Sequence, residues 1–126
     1  MTVEQAAEAG VDAVVEYDGR VLLVKAQGAW KLPSGDPEPA EPAQATAARA
    51  VYELTGYLVD GTTLLRPAKA APGDARRTVV CQLLSEAPSG DARLSSEEFR
   101  WAPIAEAVDA GIPETARVYL EGHTPV

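Results

Sequence analysis

The stretch of residues 35–57, GDPEPAEPAQATAARAVYELTGY, constrains the fold of this chain more than any other. The prolines in its first part keep the backbone extended, because proline fixes φ and donates no backbone hydrogen bond. Pro42 suits the first helical position, and the alanine-rich run from Ala43 to Leu54 has a high helix propensity. Gly56 can adopt the left-handed conformation that ends a helix. The stretch therefore predicts a loop, a helix and an abrupt stop.

A fixed spacing of glycines and charged residues runs through the same stretch. Gly35 is followed after five residues by Glu41, and Arg49 follows after seven more. This spacing resembles the Nudix box of the MutT-like Nudix hydrolase superfamily, in which the pattern continues through three further glutamate positions to a glycine and an apolar residue. The matching residues are Gly35, Glu41, Arg49, Val51, Glu53, Gly56 and Tyr57.

The box departs from the family pattern at two of three clustered glutamate positions, which hold Ala50 and Leu54 instead. Residues three and four apart are neighbours on a helix, so the family's three carboxylates share one sector and bind divalent metal. Mg²⁺ held by carboxylates neutralises phosphate oxygens while water attacks a diphosphate. Only Glu53 keeps a carboxylate here. We expect one apolar stripe instead, formed by Ala43, Ala47, Ala50, Val51 and Leu54.

The resemblance covers about residues 11–122 and implies an α/β fold, the Nudix fold, with a mixed β-sheet sandwiched between α-helices. At 126 residues the chain is expected to form one Nudix-like domain. Alternating apolar residues and turn residues predict the individual strands. The predicted strands are 11–17, 20–26, 57–59, 62–65, 78–84 and 97–101, with a connection at 28–33, a turn at Asp60-Gly61 and helices at 103–110 and 114–121.

The charge and the cysteine content limit the classes of partner. A net charge of −8 argues against a nucleic-acid backbone as the main partner. The acidic N-terminus lacks the apolar segment of a signal peptide, and no run is long enough to span a membrane, so we expect a cytoplasmic protein. Cys81 is the only cysteine and lies in an apolar run, which is typical of a small buried side chain.

The resemblance assigns roles to individual residues. Glu53 and Arg49 are the expected catalytic residues, and the two can pair because they are four residues apart on a helix. Gly35 and Glu41 are expected to contact the cofactor, with Glu53 and Glu41 as metal ligands. With one clustered carboxylate left, we expect Mg²⁺ to bind weakly or not at all.

A late acidic pair, Glu97 and Glu98, offers one further metal ligand or base. Side chains alternate along a strand, so only one of the two can face the site; the other interpretation is a solvated strand start. A basic surface loop is also predicted, at residues 66–77, which serves either solubility or contact with a phosphate or an acidic partner. Its charges are Arg66, Lys69, Arg76 and Arg77.

Three functions are compatible with these residues. The first is an active Mg²⁺-dependent hydrolase of a nucleoside diphosphate derivative. The second is a degenerate domain that binds such a small-molecule phosphate ligand, or a partner, with little or no hydrolysis. The third is a structural domain that forms a homodimer, and a homodimer is also compatible with the other two. The loss of two carboxylates favours the second, because a leucine can neither bind a cation nor activate water.

Overall fold

The computed structural model describes residues 10–65, 77–85, 87–90 and 92–122. In this part of the chain the elements are β1 (Val11–Tyr17), β2 (Arg20–Ala26), β3 (Ala29–Lys31), β4 (Ser34–Gly35), α1 (Ala43–Thr55), β5 (Val59–Leu64), β6 (Arg77–Leu83), β7 (Phe99–Pro103), α2 (Ile104–Asp109) and α3 (Glu114–Glu121). Within these ranges no helix is long and apolar enough to cross a membrane.

The strands form one mixed sheet in the order β3-β2-β1-β6-β5. β1 and β6 are parallel, and the other pairs are antiparallel. β4 pairs with the start of β1, where Val11 lies opposite Gly35, whereas β2 pairs with the end of β1 through Tyr17 and Arg20. The first residues of the box are therefore attached to the central strand of the sheet.

Alternate side chains of β1 enter two separate cores, as the pleat of a strand requires. Val11, Ala13 and Val15 pack with residues of α1, β5 and β6. Val14 packs with residues of β2, α2 and α3 on the other side. The predicted mixed sheet between helices is therefore confirmed, with α1 on one face and α2 and α3 on the other.

The bounds of helix α1 agree closely with the sequence prediction, but the residues on its buried face do not. The predicted apolar stripe continues only to Val51, because Leu54 is partly buried. Thr46 and Thr55 are fully buried in its place. The hydroxyl of Thr55 donates to the carbonyl of Val51 at 2.7 Å, which supplies the hydrogen bond that a buried hydroxyl needs.

The predicted turn at Asp60-Gly61 is wrong, because β5 continues through it with a bulge between Gly61 and Thr63. A Cβ at Gly61 would clash with the carbonyl oxygen of Gln44 on α1. The glycine therefore allows a helix to approach a strand, a function that its sequence neighbours do not indicate.

The predicted connection at residues 28–33 contains strand structure. Gln27 and Gly28 both have positive φ, at 54° and 80°, and form the tight turn that leads into β3. Trp30 lies in β3 opposite Lys25. Most of the predicted basic loop, with Arg66, Lys69 and Arg76, lies outside the described residues.

Candidate functional site

The loop before α1 is held by one carboxylate, that of Glu41. Arg49 donates to it from Nη2 at 2.7 Å and from Nε at 3.0 Å. The Glu38 backbone N–H and the Thr46 hydroxyl donate to its Oε1 at 3.0 and 2.8 Å. Arg49 Nη2 also donates to the Asp36 carbonyl at 2.9 Å. We call this arrangement of Glu41, Arg49 and the loop backbone the clasp.

The clasp changes the acidity of both its charged groups. Hydrogen bonds from Arg49, then from the Glu38 N–H and Thr46, lower the pKa of Glu41 from 4.5 to about 2. The pKa of Arg49 is raised, mainly by its hydrogen bond to Glu41. Three donors share Oε1, whereas Oε2 accepts only from Arg49 Nε and keeps one of its two lone pairs. Metal binding by Glu41 stays a prediction, and Oε2 is the oxygen that could offer a lone pair to an ion.

Gly35 and Ala50 bring the helix against β4. Ala50 is 3% exposed, and a Cβ placed on Gly35 would lie 2.9 Å from the Ala50 Cβ. That spacing is shorter than carbon atoms tolerate, so the close approach requires a glycine at 35. The structure thus gives Gly35 a packing function, and its predicted contact with a cofactor stays a prediction.

Glu53 lies between two guanidinium groups on the outer side of α1. Its Oε1 is 3.6 Å from Arg49 Nη1, which confirms the predicted pair, and 3.9 Å from Arg93 Nη2. The side chain of Glu53 is 43% exposed and that of Arg93 is 70% exposed. Solvent weakens both ion pairs, so they orient the groups more than they stabilise the fold.

Arg93 reaches Glu53 because its chain segment caps the end of α1. The Arg93 N–H donates to the Glu53 carbonyl at 2.8 Å, and the Leu94 N–H donates to the Leu54 carbonyl at 3.1 Å. The Ser89 N–H donates to the Gly56 carbonyl at 2.9 Å. The segment thereby satisfies carbonyls that a helix end leaves without partners.

Glu97 and Glu98 precede β7 instead of belonging to it. The strand begins at Phe99, two residues later than predicted, so the alternation argument for this pair is wrong. Glu98 closes a turn, since its Oε1 accepts from the Ser95 N–H at 2.9 Å and its own N–H donates to the Ser95 carbonyl. Glu97 is exposed.

The residues around Glu53 do not fit a divalent cation. Within the described ranges, no three His, Cys, Asp or Glu side chains come together in a group that could hold a metal. The carboxylate that remains is flanked by two positive charges. Mg²⁺ prefers several oxygen ligands, and the helix neighbours of Glu53 at positions 50 and 54 are an alanine and a leucine. We therefore derive no reaction step through a metal.

A cavity of about 480 Å³ lies beside the box, between the start of β1, the β3–β4 region and the α2–α3 connection. Arg100 stacks over Trp30, with its guanidinium carbon 5.5 Å from the ring centroid. The cavity lining includes Ser34, the residue before Gly35, but it contains no clasp residue, and Trp30, Leu32 and Ile112 pack on the face of the sheet that carries α2 and α3. Its lining includes Asp12, Trp30, Leu32, Ser34, Ile112 and Pro113.

A second cavity, of about 490 Å³, lies at the opposite end of β1 and is lined by Tyr17, Asp18, Arg20, Tyr57, Leu83 and Trp101. Trp101 Nε1 donates to the Tyr57 hydroxyl at 3.0 Å. The predicted burial of Cys81 is confirmed, and burial raises its thiol pKa to about 12, which makes it a poor nucleophile.

Sequence reasoning missed Arg93 altogether. Arg93 is 40 positions beyond Glu53 in a turn-rich segment that shows no motif. Its contact arises only because Arg93 and Leu94 hydrogen-bond to the last carbonyls of α1. The structure thus joins Glu53 with Arg49, as predicted, and with Arg93, but not with Glu97 and Glu98 in a metal-binding group.

Comparison with known proteins identifies the family to which this chain belongs. The family model described as NUDIX domain matches residues 6–121. No curated protein matches the chain.

Solved structures with the same fold include a NUDIX hydrolase from Nitrosomonas europaea, at 23% identity and TM-score 0.67, covering 90% of this chain and 86% of that one. An ADP-ribose pyrophosphatase from Streptococcus suis 89-1591 is 18% identical with TM-score 0.67, over 92% and 91% of the two chains. A MutT NUDIX hydrolase from Burkholderia pseudomallei is 27% identical with TM-score 0.53, over 91% and 96%. The box spacing, the sheet between helices and the match over nearly the whole length agree, and the chain belongs to the NUDIX family.

Proposed function

We propose that this chain binds a nucleoside-diphosphate-linked small molecule in the cytoplasm and hydrolyses it slowly or not at all. The observation that carries the proposal is the environment of Glu53. NUDIX hydrolases generally use divalent metals such as Mg²⁺. Here the clustered carboxylates are reduced to one, and that one contacts two arginines. A small molecule can still bind to a site that lacks the side chains needed to hold the metal for hydrolysis.

The cavity beside Trp30 is the proposed position of the nucleoside. Its volume of about 480 Å³ falls within the usual range of small-molecule sites, about 300–1,000 Å³. Trp30 offers an aromatic wall for a base, and Asp12 and Ser34 supply polar groups for orientation. Ser34 also connects this cavity to the box, since the next residue is Gly35.

Calorimetric titration with ADP-ribose, UDP-glucose and a dinucleotide tests the binding, and phosphate release from the same compounds tests turnover. We expect micromolar binding of at least one ligand, with turnover near the background. Trp30→Leu should weaken binding about tenfold, since loss of base stacking costs about 1–3 kcal/mol.

Tyr17→Leu is the matched control, because Tyr17 lines the other cavity and should leave affinity unchanged. Rapid Mg²⁺-dependent turnover would establish the hydrolase instead. Absence of binding to every ligand would leave the structural domain as the remaining function.

We also propose a homodimer. Leu58 and Leu84 are 51% and 62% exposed and lie together, since the Leu84 N–H donates to the Leu58 carbonyl at 2.8 Å. Paired exposed leucines favour a partner surface. Light scattering at high micromolar concentration tests this, and a monomer mass there would contradict it, whereas Leu58→Ser combined with Leu84→Ser should shift a dimer towards monomer.

A further inference from the structure

The cavity at the far end of β1 has aromatic walls. The Trp101 ring lies 6.3 Å from the Tyr17 ring, between centroids, at an angle of 60°. It lies 5.4 Å from the Tyr57 ring at an angle of 76°. Rings inclined in this way pack edge to face, and a further ring placed between them gains the same kind of contact. With Leu83 added, the walls suit an aromatic ligand.

Tyr57 gives this cavity a buried hydrogen-bond donor. The residue is 8% exposed, and its hydroxyl accepts a hydrogen bond from Trp101 Nε1 at 3.0 Å. A phenolic hydroxyl both accepts and donates, and in the part of the chain that the structure describes its proton meets no acceptor. A buried donor without a partner costs free energy unless a ligand or a water molecule supplies the acceptor. A ligand that fits this cavity therefore carries an acceptor atom.

Backbone and ring contacts fix both sides of the cavity. Tyr57 follows Gly56, the left-handed residue that ends α1, and Phe99 meets the Tyr57 ring edge to face at 6.0 Å. On the other side, the Gly19 N–H donates to the Glu16 carboxylate at 3.2 Å and closes the turn between β1 and β2. A cavity that is already formed loses little freedom when a ligand binds, which favours binding.

The charges at the rim of the cavity cancel. Asp18 and Arg20 are exposed and carry opposite charges, and the other four lining residues are uncharged. Solvent also weakens the interaction of exposed charges with a ligand. Neither an anion nor a cation therefore gains much from this lining, which favours an uncharged ligand over a nucleotide or an ammonium compound.

This cavity is separate from the one beside Trp30. Arg20 lines it at the first residue of β2, whereas Ala26 lines the other cavity at the last residue. Six steps of about 3.3 Å along a strand place these two residues about 20 Å apart. Trp101 packs on the α1 face of the sheet, and Trp30 packs on the face that carries α2 and α3. One small molecule therefore cannot occupy both cavities.

We propose that the cavity at the far end of β1 is a second binding site, which takes an uncharged aromatic molecule with a carbonyl group on its ring, such as an aromatic amide. The ring packs against Trp101 and Tyr17, and the carbonyl oxygen accepts a hydrogen bond from the Tyr57 hydroxyl. Because the two cavities share no lining residue, binding here is independent of the nucleoside-diphosphate ligand.

Benzamide is the probe, and the readout is the NMR signals of the two indole N–H groups, since the two tryptophans of the chain lie in different cavities. We expect benzamide to shift the Trp101 signal to saturation and to leave the Trp30 signal in place. Trp30→Leu removes one signal and thereby assigns both. Cyclohexanecarboxamide, which has the carbonyl group without an aromatic ring, should bind about threefold more weakly. Equal shifts of both indole signals, or no shift of the Trp101 signal, overturn the proposal.

Tyr57→Phe tests the hydrogen bond, because it removes the hydroxyl and keeps the ring. We expect the affinity for benzamide to fall about fivefold, as for the loss of one hydrogen bond. Toluene has a ring without an acceptor, so its affinity should change by less than about twofold. An unchanged affinity for benzamide, or an equal loss for both probes, overturns the proposal.

Tyr17→Leu tests the aromatic wall and should weaken benzamide binding about threefold. Tyr52→Leu is the matched control, since Tyr52 is an exposed tyrosine on α1 that does not line the cavity. Equal effects of the two variants contradict the proposal.

ADP-ribose in the same spectra keeps the second site apart from the proposed function. We expect it to shift the Trp30 signal and not the Trp101 signal. If it shifts neither signal while benzamide shifts that of Trp101, the proposed binding of ADP-ribose beside Trp30 fails alone. If it shifts the Trp101 signal, the cavity does not select uncharged molecules and the second site as proposed is wrong.

Discussion

The two halves of the box differ in how their charged side chains are arranged. In the first half, Gly35 to Arg49, the family's spacing of Gly35, Glu41 and Arg49 is matched, and Glu41 and Arg49 bond each other in the clasp. The second half, from Ala50 to Leu54, holds one carboxylate, that of Glu53, and it contacts Arg49 and Arg93. Both halves lie on or beside helix α1, so their location in the fold does not explain why their charged side chains are arranged differently.

The comparison separates residues that shape the loop from residues that hold a cation. Loss of Glu41 or Arg49 would leave a charge without its partner, at a cost to the fold whatever the ligand. Loss of a carboxylate at 50 or 54 removes mutual repulsion and leaves side chains that pack. A chain that does not bind a metal therefore has a physical reason to lose carboxylates at positions 50 and 54 and to keep Glu41 and Arg49.

Restoring the second half should have the largest effect. Ala50→Glu combined with Leu54→Glu introduces a long side chain at a buried position and removes a partly buried leucine, which together cost about 3 kcal/mol without metal. We expect the melting temperature to fall by roughly 10 °C. Mg²⁺ should return part of this loss, because a ligand that binds only the folded state stabilises it.

Melting curves with and without Mg²⁺, together with a turnover assay, measure this rescue. Ala50→Gln with Leu54→Gln is the control, because it changes the packing similarly without adding charge. A Mg²⁺ effect on the glutamate variant alone, with new diphosphate hydrolysis, would show that only the second half had diverged. No Mg²⁺ effect on either variant would show that the loops around the box have diverged too.

Disrupting the first half should have a smaller but still large effect. Arg49→Ala removes the hydrogen bonds to Glu41 and to the Asp36 carbonyl, and such bonds to charged groups are worth about 2 kcal/mol together after exposure to solvent is allowed for. We expect a melting temperature lower by roughly 5 °C, measured by calorimetry. Arg117→Ala, which removes a partly exposed helix arginine whose ion pairs are local to α3, should change it by less than about 2 °C. Equal effects of the two would contradict a structural function for the clasp.

The pH dependence of stability reports on the clasp directly. The pKa of Glu41 is lowered from 4.5 to about 2 in the folded protein, mainly by Arg49. Its stabilising contribution is therefore fully present above pH 4.5 and is lost as the pH falls from 4.5 towards 2. The melting temperature of the parent should fall more steeply across this window than that of Glu41→Gln. Parallel curves would mean that Glu41 titrates normally.

Much of the fold could be predicted from local sequence. β1, β2 and α3 match their predicted bounds, and α1 differs by one residue, because their alternation, helix periodicity and end residues are all local properties. β3 and β4 are three and two residues long, and they exist only through pairing with β2 and β1. The prediction was wrong at Gly61, because a glycine is needed there to let α1 approach the strand, and not to form a turn with its sequence neighbours.

The candidate site shows the same division between local and distant contacts. The Arg49–Glu53 pair follows from helix spacing and is confirmed. The Arg49–Glu41 contact spans eight residues and a loop, so the family pattern indicated both residues but not that they bond each other. The contribution of Arg93 could not be predicted, because its position depends on backbone hydrogen bonds between two segments that are 40 residues apart in the sequence.

The smallest expected effect is that of Mg²⁺ on the unmodified protein. With only Glu53 left in the cluster, the dissociation constant should be about 1 mM or weaker, or about −4 kcal/mol. At 1 mM Mg²⁺ the gain in unfolding free energy is then at most about 0.4 kcal/mol. This corresponds to a melting temperature higher by no more than about 2 °C.

Sodium chloride at matched ionic strength is the control, because added salt also screens the ion pairs around Glu53. A larger Mg²⁺-specific shift, or a clear calorimetric isotherm, would mean that Glu41, Glu97 or Glu98 rebuilds a metal site when the ion is present. The two halves would then differ in residue identity but not in chemistry.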